Sequence, residues 1–177
     1  MLLKIWRFTS IYLTAITLSL TFCHLLEMPR KMQYGEELYM NVQHSLYLYF
    51  AWVGAFSEVS AVLFLIVLSF FVRKRRLTFF LTLLATVCVA AGLAVWFAFV
   101  SPANTQMAQW NSIPLPASWT EVRRQWESGH AASAVLDLIG FGSLVASIIF
   151  DKVNPAAQEN RAANTSATVP PRGSGRG

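Results

Sequence analysis

Four long apolar runs decide most of what this chain can become: Phe8–Leu26, Leu46–Val72, Leu77–Ser101 and Ala131–Phe150. Each approaches or exceeds the roughly 20 apolar residues that a helix needs to cross about 30 Å of hydrocarbon. Buried helices of soluble domains rarely keep such lengths. In lipid, moreover, only a helix or a closed barrel satisfies every backbone group internally. The expected fold is an all-α membrane protein: four transmembrane helices in an up-down-up-down bundle, with a long outer loop between helices 3 and 4. A content of 55% hydrophobic and 13% charged residues fits that class and no ordinary soluble one. Residues 1–154 form the predicted membrane domain. Residues 155–177, rich in Ala, Asn, Thr, Pro, Arg and Gly, form a predicted disordered cytoplasmic tail.

The net charge of +5 invites a nucleic-acid partner, and its distribution argues against one. If the runs alternate across a bilayer, Lys4, Arg7, Arg73, Lys74, Arg75, Arg76, Lys152, Arg161, Arg172 and Arg176 share one side. Arg30, Lys31, Arg123 and Arg124 share the other. This is the positive-inside pattern, and it predicts a cell-membrane protein with both termini cytoplasmic. Arg73-Lys74-Arg75-Arg76 is then a topology anchor, with anionic lipid headgroups as a secondary contact. The first run lacks a small-x-small cleavage site and reads as an uncleaved helix. Cys23 and Cys88 fall in different runs, which predicts inert packing rather than a disulfide.

Several features set the expected boundaries. Proline at position 29 predicts the end of the first helix, followed by a short outer loop from Arg30 to about Gly35. From Glu36 the spacing of Leu38, Tyr39, Val42, Leu46 and Tyr49 predicts a second helix rising above the bilayer. Pro102 is expected to close the membrane part of the third. In the loop from Ser101 to Gly129, Trp110 and Trp119 read as interfacial-belt residues, and Ser118 or Thr120 as the cap of a helix leading into the fourth span. Gly54, Gly92, Gly140 and Gly142 permit close helix approach.

Two carboxylates interrupt the apolar runs, Glu58 and Asp137. A carboxylate in hydrocarbon is costly unless paired, hydrated or protonated, so each is a candidate functional residue. Glu58 lies fifteen residues before Arg73 and Asp137 fifteen before Lys152, which puts both about 22 Å from the anchored face. They are expected to share one polar layer in the far leaflet, hydrogen-bonded to His24 or sharing a proton. All three histidines lie at or near the outer ends of helices. His24 and Glu27 are three apart, as are Glu127 and His130, while His44 with Glu58 and His130 with Asp137 share helical stripes. One forward and one reversed Glu/His pair leave a metal site with His/Glu ligands as an alternative, although a di-metal bundle normally uses two Glu-x-x-His motifs and two more glutamates. The other reading pairs Glu127 with Arg123 or Arg124. No phosphate loop, Cys-x-x-Cys pair or Ser-His-Asp order is present in the sequence.

The stretch from His24 to Met32 (HLLEMPRKM), with Leu38-Tyr39, Leu46-Tyr47, Pro102-x-Asn104, Trp119, Arg123, Trp126, Glu127 and His130, resembles the anthrone oxygenase-like family of small four-span membrane proteins. The resemblance covers about residues 8 to 150. It implies a four-span bundle and, by analogy with the characterised members, oxidation of an anthrone by molecular oxygen without metal or organic cofactor. The oxygenases favour Asn-x-Pro-x-Asn where this chain has Ser101-Pro102-Ala103-Asn104, and another polar residue where it has His130. Those departures point away from the anthrone itself as substrate. Two readings follow. In the first, an outer-leaflet pocket binds a lipophilic aromatic, anthrone- or quinol-like molecule. His24 or His130 is the base, tuned by Glu27, Glu58 or Asp137, and Trp52, Tyr47, Asn104 and Trp126 contact the substrate. In the second, the protein is a non-catalytic scaffold or accessory subunit, alone or as a homo-oligomer, whose polar layer locks helix packing.

Overall fold

A computed structural model describes residues 1–151. The predicted cytoplasmic tail, with Arg161, Arg172 and Arg176, lies outside the described residues, as does Lys152 at the end of the predicted membrane domain. The described chain is helical without strands: α1 (Leu2–Lys31), α2 (Glu36–Leu46), α3 (Leu48–Val72), α4 (Arg76–Val95), a π-helical turn (Trp96–Val100), α5 (Ser101–Met107) and α6 (Trp119–Ile149). Four stretches are long and apolar enough to cross a membrane: Leu2–Lys31, Tyr49–Val72, Arg76–Met107 and Trp119–Ile149. The chain is therefore a multi-pass membrane protein built as a helical bundle. In it α6 packs chiefly on α4 and α1, α1 on α3, and α3 on α4.

The helices sort their side chains by size as much as by polarity. Large apolar groups such as Phe8, Tyr12, Phe56, Phe70 and Phe80 point outward, where lipid replaces water as the solvent. Inside lie small hydroxyl residues: Ser10, Thr14, Thr17 and Thr21 on α1, Thr78, Thr82 and Thr86 on α4, and Ser133 and Ser147 on α6. Many donate to a carbonyl of their own helix, as Thr14 does to Ser10 O at 2.6 Å and Thr82 to Thr78 O at 2.7 Å. A hydroxyl satisfied in this way costs little in a dry interior and lets backbones approach closely. Gly140 marks the tightest crossing of α6 on α4: a Cβ there would meet Val89 Cγ2 at 3.0 Å and Ala85 O at 3.3 Å.

Two apolar cores divide the bundle. One joins Leu13, Leu65, Leu68, Val72, Val89 and Leu144. Near it, Arg7, Arg75 and Thr78 close on Asp151, with Arg7 Nη2 at 2.5 Å and Thr78 Oγ1 at 2.9 Å. The second core joins Tyr39, Tyr47, Val100, Met107, Leu115, Val122 and Trp126, so α2, the π turn, α5 and the loop cover the opposite end. The backbone amide of Leu115 donates to Glu36 Oε2 at 3.0 Å and ties that loop to the start of α2.

Three boundary expectations are corrected. Pro29 does not end α1, which runs on to Lys31; so close to the terminus, the proline removes only the bond to Leu25 O. The expected second helix is broken at Tyr47 (φ −93°, ψ 2°), where the chain leaves α2 and restarts as α3. Pro102 does not close the third span. The π turn widens the ladder ahead of it, Ser101 N bonds to Trp96 O, and the helix continues to Met107. Trp110 and Trp119, expected at the interface, are half-buried and pack against the second core. Ser118 occupies the cap position of α6 without a capping hydrogen bond from its side chain.

Candidate functional site

On α1, Thr17, Thr21, His24 and Lys31 recur at helical spacing and are all buried, so they form one inward stripe. On α6, Trp126, Glu127, His130, Ser133 and Asp137 do the same. Where the stripes meet, the rings of His24 and His130 lie 4.2 Å apart between centroids. Trp126 stands 5.0 Å from His24 and 4.3 Å from His130, and Tyr47 stands 4.6 Å from His24. The break before α3 carries Tyr47 into this cluster, which a continuous helix would not.

A charged roof covers the cluster. Lys31, 1% exposed, brings Nζ to 3.2 Å from Glu127 Oε1 and 3.5 Å from Glu27 Oε2. The same ammonium lies 4.6 Å from the Trp126 ring centroid and 4.9 Å from that of Tyr47, a desolvated cation–π contact on each side. Tyr47 donates its hydroxyl to Glu27, and Cys23 Sγ donates to the other oxygen at 3.3 Å. Tyr39 donates to Glu127 Oε1 at 3.2 Å; burial and then the Glu127 charge push its phenol up, so it stays a donor. Glu127 is thus paired with Lys31, not with Arg123 or Arg124. Arg123 instead donates to Tyr34 O at 2.9 Å and lies 4.5 Å from the Trp119 ring.

Beneath the roof is a cavity of about 570 Å³. His24, Tyr47, Asn104, Trp126, His130 and Glu58 line it, so six of the residues picked from sequence share one wall. Asn104 is held in place by accepting from Trp126 Nε1 at 2.7 Å. Glu27 belongs to the roof. Asp137 lies against Glu58: a Cβ built on Gly92 would meet Asp137 Oδ1 at 3.2 Å and Glu58 Oε1 at 3.5 Å. The expected hydrogen bond from this layer to His24 is absent among the described residues, and Thr21 fills the role by donating to Asp137 Oδ2 at 3.0 Å. Trp52 is misplaced by the sequence reading. It is 74% exposed, because the cavity face of α3 runs through Phe50, Ala51, Gly54 and Glu58 and leaves position 52 pointing outward. His44 lines the cavity at its α2 end.

Sequence reasoning missed Lys31, Tyr39 and Phe50. The signal for Lys31 was available, since Glu27 and Lys31 are an i,i+4 pair once α1 is read through Pro29. Among the described residues, no three His, Cys, Asp or Glu side chains are grouped so as to hold a metal ion. On residues lining the cavity, His24 Nδ1, His130 Nδ1, Gln43 Nε2 and Glu58 Oε1 make no hydrogen bond within the described protein, and neither does Asp137 Oδ1 behind Glu58. Buried polar atoms are nearly always paired, so their concentration beside one cavity makes it the candidate functional site. Compared with protein families, with curated proteins and with solved structures, the chain matches none.

Proposed function

We propose that this protein admits a flat lipophilic aromatic molecule from the bilayer and takes a proton from it at the His24–His130 pair. That step would begin a cofactor-independent oxidation by oxygen, as in the anthrone oxygenase-like family whose motif residues the chain resembles. The observation that carries the reading is the contact of two buried imidazoles on the wall of an aromatic-lined cavity. Imidazole is the side chain suited to accept and release a proton near neutral pH; neither Nδ1 makes a hydrogen bond among the described residues, and that of His24 lies 3.9 Å from Glu27 Oε2. Phe97, 61% exposed, and Val59 sit at the rim, which favours a mouth facing lipid between α3 and the π turn. For an anthrone-like substrate, one ring methylene and one molecule of dioxygen give one ring carbonyl and one molecule of water. The base removes a C–H proton, the carbanion reduces oxygen, one oxygen atom stays as the carbonyl and the other leaves as water.

The reading orients the bundle up-down-up-down with both termini cytoplasmic and the His24 end in the outer leaflet. The clustered basic residues around Arg73–Arg76 support it. Cysteines placed at Gly35 and Ser112 should label from outside intact cells; labelling only from the cytoplasmic face would reverse the orientation.

Activity is tested with detergent-purified protein on a panel of anthrones, following oxygen uptake and quinone absorbance. His24→Ala and His130→Ala should each lower turnover by roughly 100-fold or more, the usual worth of a general base, without changing the unfolding temperature. Full turnover in the double variant would overturn the proton-acceptor role. Absence of turnover on every anthrone would favour the scaffold reading over catalysis.

A further inference from the structure

Two hollows meet at the α2 end of the bundle. The larger is the cavity of about 570 Å³. The smaller, a groove of about 240 Å³, lies between α2 and the loop and is bordered by Glu37, Asn41, Trp110, Asn111 and Ser112. Among the described residues, His44 alone borders both. Glu37, Asn41, Asn111 and Ser112 are exposed polar residues, so the groove is a watered one. Its loop wall is held in place, since the Leu115 amide donates to Glu36 Oε2 at 3.0 Å. His44 is not held in this way. It is exposed, and an exposed side chain exchanges rotamers on the picosecond-to-nanosecond scale.

The cavity wall is polar where α2 and α5 supply it, through Gln43, His44 and Asn104, whereas α3 and α4 supply Val59 and Leu93. Gln43 Nε2 is buried and makes no hydrogen bond among the described residues. Polar groups at the edge of a membrane bundle are tolerated where they border water, and a roomy hollow with several polar partners is where water settles. We propose that His44 stands in a hydrated neck joining the groove to the cavity. The cavity then has a mouth on the water side besides the one facing lipid at Phe97. The neck passes what lipid excludes: water, protons and small polar molecules. On the catalytic reading it is also the way by which a proton taken at His24 and His130 reaches solvent, but the neck does not depend on that reading.

The test places a thiol inside the cavity. Gly54 lines the wall, and a Cβ there meets only Leu20 Cδ1 at 3.7 Å, an ordinary van der Waals contact. Full-length protein carrying Gly54→Cys, with Cys23→Ser and Cys88→Ser to remove the native thiols, is placed in lipid nanodiscs, which leave both faces open to water. Two reagents are compared. Trimethylammonioethyl methanethiosulfonate is a fixed cation that lipid excludes and that Glu37 in the groove does not repel. Pyrenylmaleimide enters from lipid. The cation should react, and adding His44→Trp should slow it by roughly tenfold or more while the maleimide rate stays unchanged. His44→Ala should speed the cation. If Gly54→Cys does not fold, Ala51→Cys puts the thiol on the same wall. Failure of the cation to react where the maleimide does overturns the neck and leaves the lipid mouth alone. Equal cation rates with His44, His44→Ala and His44→Trp overturn it as well, and so does equal slowing of both reagents by His44→Trp. Access is read here and not turnover, so none of these outcomes bears on the proton-acceptor role of the histidines.

Discussion

The bundle carries an ionic cluster at each end, and the two are built on opposite plans. At one end a single acid, Asp151, is held by Arg7, Arg75 and Thr78, with every contact directed at its two oxygens. Arg75 remains 42% exposed along its side chain, so water shares the load. At the other end a single cation, Lys31, sits between Glu27 and Glu127 with almost no exposure, pressed against two aromatic rings. Glu127 Oε2 and the Lys31 ammonium make no aligned hydrogen bond among the described residues, and the cavity opens beneath. The first cluster is a clasp hydrated on its Arg75 side, with the Asp151 carboxylate itself 3% exposed, and it joins the start of α1, the start of α4 and the end of α6. The second is dry at Lys31 and Glu127, where desolvation is large and the attraction between opposite charges must offset it, while Glu27 keeps 36% of its side chain exposed. Polar groups left unpaired accumulate around the second, beside the cavity proposed for binding and chemistry.

That contrast predicts very different responses to losing one charge. Lys31→Met should be the larger: it leaves Glu127, fully buried, without its cation and should cost about 3–5 kcal/mol, as for other buried pairs deprived of one partner. Thermal unfolding in detergent reads the loss. Adding Glu127→Leu to the same chain should recover part of it, since an apolar pair is often as stable as a buried ionic one. A loss below about 1 kcal/mol for the single variant would mean that the roof is wet, and the contrast between the ends would fail.

How much of this was legible in the sequence follows from which residues act alone. The four spans are written in length and hydropathy, and spacing from the basic anchors brought Glu58 and Asp137 to one level. His24 and His130 were found because each lies beside a glutamate at helical spacing. Lys31 was not found as a site residue because a lysine at the end of a membrane helix ordinarily marks topology. Its burial depends on α2, Tyr39 and Trp126 closing over it, contacts made across long stretches of chain. The break at Tyr47 has no glycine or proline to announce it. There the Tyr47 hydroxyl reaches Glu27 on α1, a contact between helices that local sequence does not encode. The prolines misled in the other direction: Pro29 and Pro102 each forbid one hydrogen bond, and both helices absorbed the loss.

The smaller effect belongs to Asp151, and it also has a pH signature. Burial raises its carboxyl pKa, but hydrogen bonds from Arg7 and Thr78 and the charges of Arg7 and Arg75 outweigh burial and hold it below the ordinary carboxylate range. A depressed folded-state pKa means that the clasp stabilises the protein above the unfolded value near 3.9 and loses that contribution as pH falls through the folded value. Asp151→Asn should therefore cost on the order of 1 kcal/mol at neutral pH, a modest figure because exposed Arg75 is screened by solvent. The difference between wild type and variant, measured by unfolding in detergent, should be flat from pH 8 to 5 and shrink below about pH 4. A difference that grows on acidification, or that changes between pH 6 and 8, would place the titrating group elsewhere and remove Asp151 from the clasp. A difference as large as that of Lys31→Met would mean that the Asp151 end is as dry as the Lys31 end, which Arg75 in contact with water argues against.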